Sequence, residues 1–208
     1  MHTILITGAG SGIGAATAMK LSQHEGFRLI LMGRRLQPLE KVRQSLNRPD
    51  NHVAVSMDVA HANALVHWLS GEEANLLAHP LVGVFANAGI GGPNDFGSDD
   101  RWEEIIRINL TGTYNTLMAC RPHLMAAPTG GHALVTSSVL ARFGVPGQTA
   151  YVASKTGLLG LVRSLAVEWS PHGVMVNALC PGWVNTDMAH QGLEGMAQAM
   201  KISKEEAY

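Results

Sequence analysis

The sequence predicts an α/β fold, a doubly wound parallel sheet of about six strands with helices on both faces, in a single domain spanning all 208 residues. Two observations predict it. Strand-like runs rich in Val, Ile and Leu alternate with helix-like runs at nearly regular intervals, and those strands lack a polar face, as expected where both sides of a sheet are covered. A glycine-punctuated turn, Thr7-Gly-Ala-Gly-Ser-Gly-Ile-Gly14, stands between the first strand and the first helix, where such a turn has mechanical meaning in this architecture.

Taken in order, Thr3–Ile6 is the first strand and the Ala-rich stretch Ile13–His24 the first helix. Arg28–Met32 and Val53–Met57 read as the second and third strands, with Pro38–Leu46 as the helix between them. The helical pattern Ala60–Leu77 leads to a fourth strand, Leu81–Asn87. A long helix over Trp102–Ala126 connects it to a fifth, His132–Thr136. The helix Ala150–Trp169 precedes a sixth strand, Val174–Leu179, and Leu193–Met200 can form one more helix. No repeat, charge block or low-complexity linker interrupts this pattern, and the glycine clusters at 89–92 and 130–131 are loop-sized.

With 46% hydrophobic and 15% charged residues, the chain has material for one substantial core. A net charge of -1 gives no electrostatic footprint for nucleic acid or an anionic membrane. Cys120 and Cys180 lie in apolar stretches without ligand spacing and read as buried free thiols. The ten histidines form no metal pattern, so no metal is expected. The chain begins directly in a strand-like run and has no apolar run near the ~18 residues of a membrane span, which makes the cytoplasm the expected compartment.

Three clusters carry the chemistry. Tyr151 and Lys155 are four positions apart at the start of a helix and therefore project from one face. A tyrosine has a pKa of roughly 10, and a neighbouring cation favours its phenolate, so the pair reads as an acid/base whose acidity the lysine raises. In the glycine turn, Gly8, Gly12 and Gly14 let backbone and helix N-terminus approach a pyrophosphate. After the second strand, Gly33-Arg34-Arg35 stands where an acidic residue would bond the adenosine ribose. Arginines there suit a 2'-phosphate, so NADP(H) is favoured over NAD(H), the alternative being that Arg34 and Arg35 are solvated loop charges.

With these residues assembled, the chain resembles the short-chain dehydrogenase/reductase family in its single-domain, Rossmann-like form. The resemblance runs from Thr3 to about Thr186 and rests on motifs in the right order. They are Thr7–Gly14, Asp58-Val59, Asn87-Ala88-Gly89, Asn109, Ser138, Tyr151 with Lys155, and Pro181-Gly-Trp-Val-Asn-Thr186. It implies that Gly8, Gly10, Ser11, Gly12, Ile13 and Gly14 hold the cofactor diphosphate. Asp58 would accept from the adenine amino group, with a helix cap as its alternative, and Val59 would pack on the ring. Asn87, Ala88 and Gly89 would line the strand end beside the cofactor. Ser138 would polarise the substrate oxygen, while Lys155 would bond the nicotinamide ribose and lower the Tyr151 pKa. Asn109 would hold a water linking Lys155 to solvent, unless it is a helix-kink asparagine bonded only to backbone. Pro181, Gly182, Val184 and Thr186 would sit near the nicotinamide, with Thr186 a partner for the carboxamide or diphosphate.

The activity so implied is reversible hydride transfer between a carbonyl and a secondary alcohol, with Tyr151 as acid/base. An NADP(H)-binding regulator or sensor with little turnover is the alternative. Relatives commonly pair through two long helices, here Trp102–Ala126 and Ala150–Trp169, which implies a homodimer. Their chains also continue through a substrate-covering region and a seventh strand. This sequence stops at Tyr208, so residues 187–208 read as a shortened substrate-side segment and the sixth strand as an exposed sheet edge. Arg142 and Phe143, in the loop before Tyr151, are candidates for a pocket wall or for plain loop surface.

Overall fold

The computed structural model describes residues 1–71, 79–98, 100–203 and 206. Among them lie six strands: β1 His2–Thr7, β2 Phe27–Gly33, β3 Val53–Ser56, β4 Leu81–Ala86, β5 Gly131–Thr136 and β6 Val174–Leu179. All pair in parallel in the order β3-β2-β1-β4-β5-β6. The order reverses between β1 and β4, which opens a crevice at their carboxyl ends where ligands of such sheets bind.

A strand's side chains alternate between faces, and this sheet uses both. Leu5, Ile30, Met32, Val84, Ala86, Ala133 and Val135 point into one core with Leu117, Leu158 and Trp169. Their neighbours Ile6, Leu29, Leu31 and Phe85 point into the other with Ala18 and Leu39. Each such side chain removed from water contributes roughly 1.5–3 kcal/mol, which is why the central strands tolerate no polar face. At the β6 edge the second face is open: Met175 is 56% and Leu179 44% exposed, while Val174 and Val176 are buried under the other face. Among the described residues β6 also stands last in the strand order, paired only with β5, which is the expected edge.

The helices are α1 Gly12–Leu21, α2 Leu36–Ser45, α3 Ala64–Ser70, α4 Trp102–Ile106, α5 Gly112–Met125, α6 Thr149–Trp169 and α7 Asp187–Met200. Two differ instructively from the sequence reading. In the Ala60–Leu77 pattern the described residues are helical from Ala64 to Ser70, and ahead of them Asp58 Oδ1 accepts from Ala60 N–H at 2.9 Å and holds a turn; positions 72–77 lie outside the described residues. The expected Trp102–Ala126 helix is continuous but contains a π-helical turn, Arg107–Thr111, between α4 and α5. A π turn displaces one residue from the helical face, and such turns often mark functional positions. Here the turn contains Asn109.

On the two long helices, Leu117, Leu158 and Leu165 are core residues at 0%, 0% and 5% exposure. Cys120 is a buried free thiol whose pKa burial pushes up to about 12. Cys180 is free but exposed, a correction to the expectation that both are buried. It lies one residue beyond the end of β6.

Candidate active site

The turn after β1 is built by close approach. Gly8 has φ +66°, and a Cβ there would lie 2.9 Å from the Ala88 Cα. A Cβ on Gly14 would overlap the Gly8 carbonyl and come within 2.8 Å of the Asn87 side chain. Glycine is therefore required twice in this turn. Ser11, extended at φ -163°, starts α1 with no side-chain cap, which leaves its side chain off the first N–H groups of the helix. A diphosphate suits that donor set, since the helix N-terminus carries partial positive charge. Gly10 packs against Pro38 of α2, and Ile13 belongs to the edge of the second core.

Asn87 latches the ends of three strands. Its Nδ2 donates to the carbonyls of Thr7 (3.2 Å) and Gly8 (3.4 Å), and its Oδ1 accepts from Thr136 Oγ1 at 3.0 Å. In return, Thr7 Oγ1 accepts from Asn87 N–H and Ala88 N–H, both at 3.0 Å. The sequence marked Asn87 but not Thr136, whose role depends on β5 lying beside β4.

Next to this latch, Ser138, Tyr151, Lys155 and Asn109 are brought together. Lys155 is buried, and its Nζ donates to the Thr136 carbonyl at 2.9 Å and lies 5.7 Å from the centre of the Tyr151 ring. Ser138 lies near enough to the Tyr151 hydroxyl to lower its pKa. Ser138, rather than its neighbour, faces the phenol: Ser137 Oγ instead donates to the Lys155 carbonyl at 2.8 Å, fixing α6 to the end of β5. Ser138 Oγ also accepts from Leu140 N–H at 3.1 Å. Asn109 Oδ1 accepts from Ile90 N–H at 2.8 Å, and its Nδ2 donates to the Ile90 carbonyl (3.0 Å) and Ser154 Oγ (3.1 Å). Asn109 thus bonds more than backbone. A Cβ on Gly89 would touch both Asn109 Oδ1 (3.2 Å) and Lys155 Nζ (3.4 Å), which puts amide and ammonium together against one glycine.

The electrostatics differ from the simple expectation. Burial pushes the Lys155 ammonium down to about 8. Burial also raises Tyr151 above the ordinary phenol value, and Ser138 pulls it partly back. The expected lowering of Tyr151 by Lys155 is corrected: desolvation, invisible in a four-residue spacing, is the largest effect.

The remaining predicted residues lie around this centre. Arg34 and Arg35 are exposed after β2, and among the described residues neither makes an ion pair. Ser56 Oγ donates to the Arg34 carbonyl at 3.0 Å and holds that loop to β3. Val59 is buried against Gly112, where a Cβ would come within 2.6 Å of its side chain, and Asn115 Nδ2 donates to its carbonyl at 3.1 Å. The Pro181 carbonyl accepts from Val139 N–H at 2.9 Å, joining the segment after β6 to the Ser138 loop. Gly182 and Val184 are exposed. Thr186 caps α7, its Oγ1 accepting from Ala189 N–H at 3.2 Å, and its Cγ2 would lie 3.2 Å from a Cβ on Gly12. The α7 helix starts at that cap, six residues earlier than Leu193, and sets Met188 beside Gly91 and Tyr151. Arg142 and Phe143 are exposed.

The short chain dehydrogenase family profile matches residues 2–197. The chain belongs to this family. It is 33% identical over 197 residues to a 3-oxoacyl-[acyl-carrier-protein] reductase of Aggregatibacter actinomycetemcomitans, covering 92% of this chain and 80% of that protein. Among solved structures, actinorhodin polyketide ketoreductase with NADPH superposes with a TM-score of 0.88 at 28% identity, over 100% of this chain and 80% of that one. Carveol dehydrogenase from Mycobacterium avium in complex with NAD gives 0.86 at 30% identity, over 95% and 77%. This short-chain dehydrogenase is accordingly an oxidoreductase of the carbonyl/alcohol class, acting on small molecules with NAD(P). No described helix is long and apolar enough to cross a membrane.

Proposed function

We propose that the protein is an NADP(H)-dependent oxidoreductase that interconverts a carbonyl and a secondary alcohol, with Tyr151 as acid/base. One observation carries the reading: the Tyr151 ring lies 5.7 Å from the buried Lys155 ammonium, with Ser138 near enough to its hydroxyl to lower its pKa, at the carboxyl ends of β4 and β5. A bound nicotinamide supplies or accepts the hydride. In the reducing direction Ser138 donates a hydrogen bond to the carbonyl oxygen, and Tyr151 gives that oxygen its phenolic proton as charge develops on it. Burial keeps the phenol protonated at neutral pH, ready to donate. Lys155 holds the nicotinamide ribose and stabilises the phenolate left after transfer, and Asn109 aligns the loop carrying Gly89 against the lysine. Oxidation runs the same path in reverse.

For the dinucleotide, the residues from Gly8 to Gly14 receive the diphosphate, Asp58 and Val59 the adenine, Asn87 to Gly89 the adjoining ribose, and Pro181 to Thr186 the nicotinamide end. Arg34 and Arg35, without an ion pair among the described residues, support a 2'-phosphate and hence NADP(H). The test follows NADPH consumption with a panel of ketones, 3-oxoacyl thioesters and quinones, for wild type and Tyr151→Phe. The variant should lose nearly all turnover and bind NADPH as before; unchanged turnover would mean that another acid does the work.

The one-domain chain is further proposed to pair as a homodimer through the outer faces of the α4–α5 helix and α6. Tyr114 and Val167 are 48% and 77% exposed on them, and Arg121 reaches from α5 to Glu168 at 3.3 Å, so the two helices form one joint surface. Light scattering on the eluted protein should give twice the chain mass, and a clean monomer would reject the pairing.

A further inference from the structure

The helix carrying Tyr151 and Lys155 supplies no cap of its own. Gln148, at its N-cap, makes no side-chain bond to the helix. The cap comes from Asn94, in the loop after β4. Asn94 Oδ1 accepts from Ala150 N–H at 2.8 Å and from Thr149 Oγ1 at 3.0 Å, and its own N–H donates to the Gly147 carbonyl at 3.0 Å. The other end of the same amide is also engaged, Nδ2 donating to Asp100 Oδ1 at 3.2 Å. That Asp100 oxygen accepts from Trp102 N–H at 2.9 Å, at the start of α4. One Asn–Asp pair therefore caps two helices at once.

Those helices carry the two halves of the site. From α4 the chain runs through the π turn to Asn109, and α6 reaches Tyr151 one residue after Ala150. The halves meet again at Ser154, whose Oγ accepts from Asn109 Nδ2 (3.1 Å) and donates to the Tyr151 carbonyl (2.7 Å). The first turn of α6 is thus braced from both sides, by Asn94 before the phenol and Ser154 after it. Replacing a capping asparagine by alanine destabilises the helix start, and the loss falls on the first turn, where Tyr151 sits.

We propose that Asn94 is a positioning residue for Tyr151: with Asp100 it pins the starts of α4 and α6 together and holds the phenol against Ser138. This deepens the reading of Tyr151 as the acid and rests on it. A misplacement of about 1 Å at a reacting group can cost on the order of 100-fold in rate, so a cap that fixes the ring acts on turnover and not only on stability.

The experiment uses the full chain as wild type, Asn94→Ala, Asn94→Asp/Asp100→Asn and Tyr151→Phe. Turnover is followed with NADPH and acetoacetyl-coenzyme A, and the phenol is titrated by ultraviolet absorbance, with the Tyr151 signal isolated by subtracting Tyr151→Phe. Asn94→Ala should lower kcat about tenfold while the Kd for NADPH stays unchanged. Its Tyr151 titration should move down toward the ordinary phenol value as the ring gains solvent. The exchanged pair restores an acceptor for Ala150 and Thr149 and a donor between the two loops, so it should recover both readouts. Wild-type kcat with an unmoved titration in Asn94→Ala would overturn the proposal, as would a loss that the exchanged pair does not repair. If acetoacetyl-coenzyme A is not turned over, the titration decides alone. Should Tyr151→Phe remain active, the acid assignment falls; should it be dead while Asn94→Ala behaves as wild type, only the role of Asn94 falls.

Discussion

Lys155 lies with its ammonium 5.7 Å from the centre of the Tyr151 ring and bonds the Thr136 carbonyl at 2.9 Å. The lysine is only 4% exposed, and that burial pushes its pKa down to about 8. A fold that must desolvate a cation is destabilised by it.

The sign of that effect fixes a prediction. Below about 8 the amine is charged in both folded and unfolded chains, and the fold bears the whole desolvation cost. Between there and the unfolded value of roughly 10.4, the unfolded chain binds more protons, so stability rises with pH. Lys155→Met should therefore unfold at higher urea than wild type near neutral pH. The full shift corresponds to about 3 kcal/mol, reduced by about 1 for the lost bond to Thr136, leaving a gain of about 2. Measured again near pH 10, the gain should largely vanish. A gain independent of pH would mean that charge burial is not its source. Turnover should be lost at either pH.

Much of the fold was legible because it depends on local pattern. The apolar runs gave all six strands to within a residue or so, since a strand buried on both faces can hardly be written otherwise. The site residues marked by spacing, Tyr151 with Lys155 and Gly8 with Gly14, are held together as expected, since four positions on a helix or six in a tight turn fix their geometry. What escaped were contacts made across the fold. Thr136 meets Asn87 only because β5 lies beside β4, and Asn94 caps a helix 56 positions away. The rise in the Tyr151 pKa escaped for the same reason, burial being a property of the assembled core.

At Gly8, φ +66° and the Ala88 backbone 2.9 Å from a Cβ position leave two independent objections to any side chain. The left-handed conformation alone costs an alanine roughly 1–2 kcal/mol. The overlap is with backbone and is relieved only by parting the ends of β1 and β4, where the cofactor crevice opens. Gly8→Ala should lower NADPH affinity by about 100-fold or more, measured by fluorescence titration. Gly26→Ala, where a Cβ meets nothing within 4 Å, serves as control and should bind as wild type.

Thr136 donates its hydroxyl proton to Asn87 Oδ1 at 3.0 Å, while its own carbonyl takes the Lys155 bond. Thr136→Val keeps shape and backbone and removes only the hydroxyl. An acceptor deprived of its donor in a partly buried site costs about 1–3 kcal/mol, and here the orphan lies on the latch joining β1, β4 and β5. The variant should unfold at lower urea by that amount and bind NADPH more weakly. Equal affinity would show that Asn87 holds its place through Thr7 and Gly8 alone.

Arg34 and Arg35 stand at the end of β2 without an ion pair among the described residues, and only the backbone carbonyl of Arg34 is tied down, by Ser56. Free guanidinium groups are worth little to stability at an exposed site, so replacing both should leave the unfolding curve unchanged. On the proposed reading they pair with a dianionic phosphate, where planar, forked donors match its oxygens. Arg34→Ala/Arg35→Ala should weaken NADPH binding by about 10- to 100-fold and leave NADH binding nearly untouched. Added salt should erode the wild-type preference for NADPH, because exposed charges are screened within about 10 Å at 0.1 M ionic strength. A wild-type chain that binds NADH as well as NADPH at low salt would show that these arginines select no phosphate.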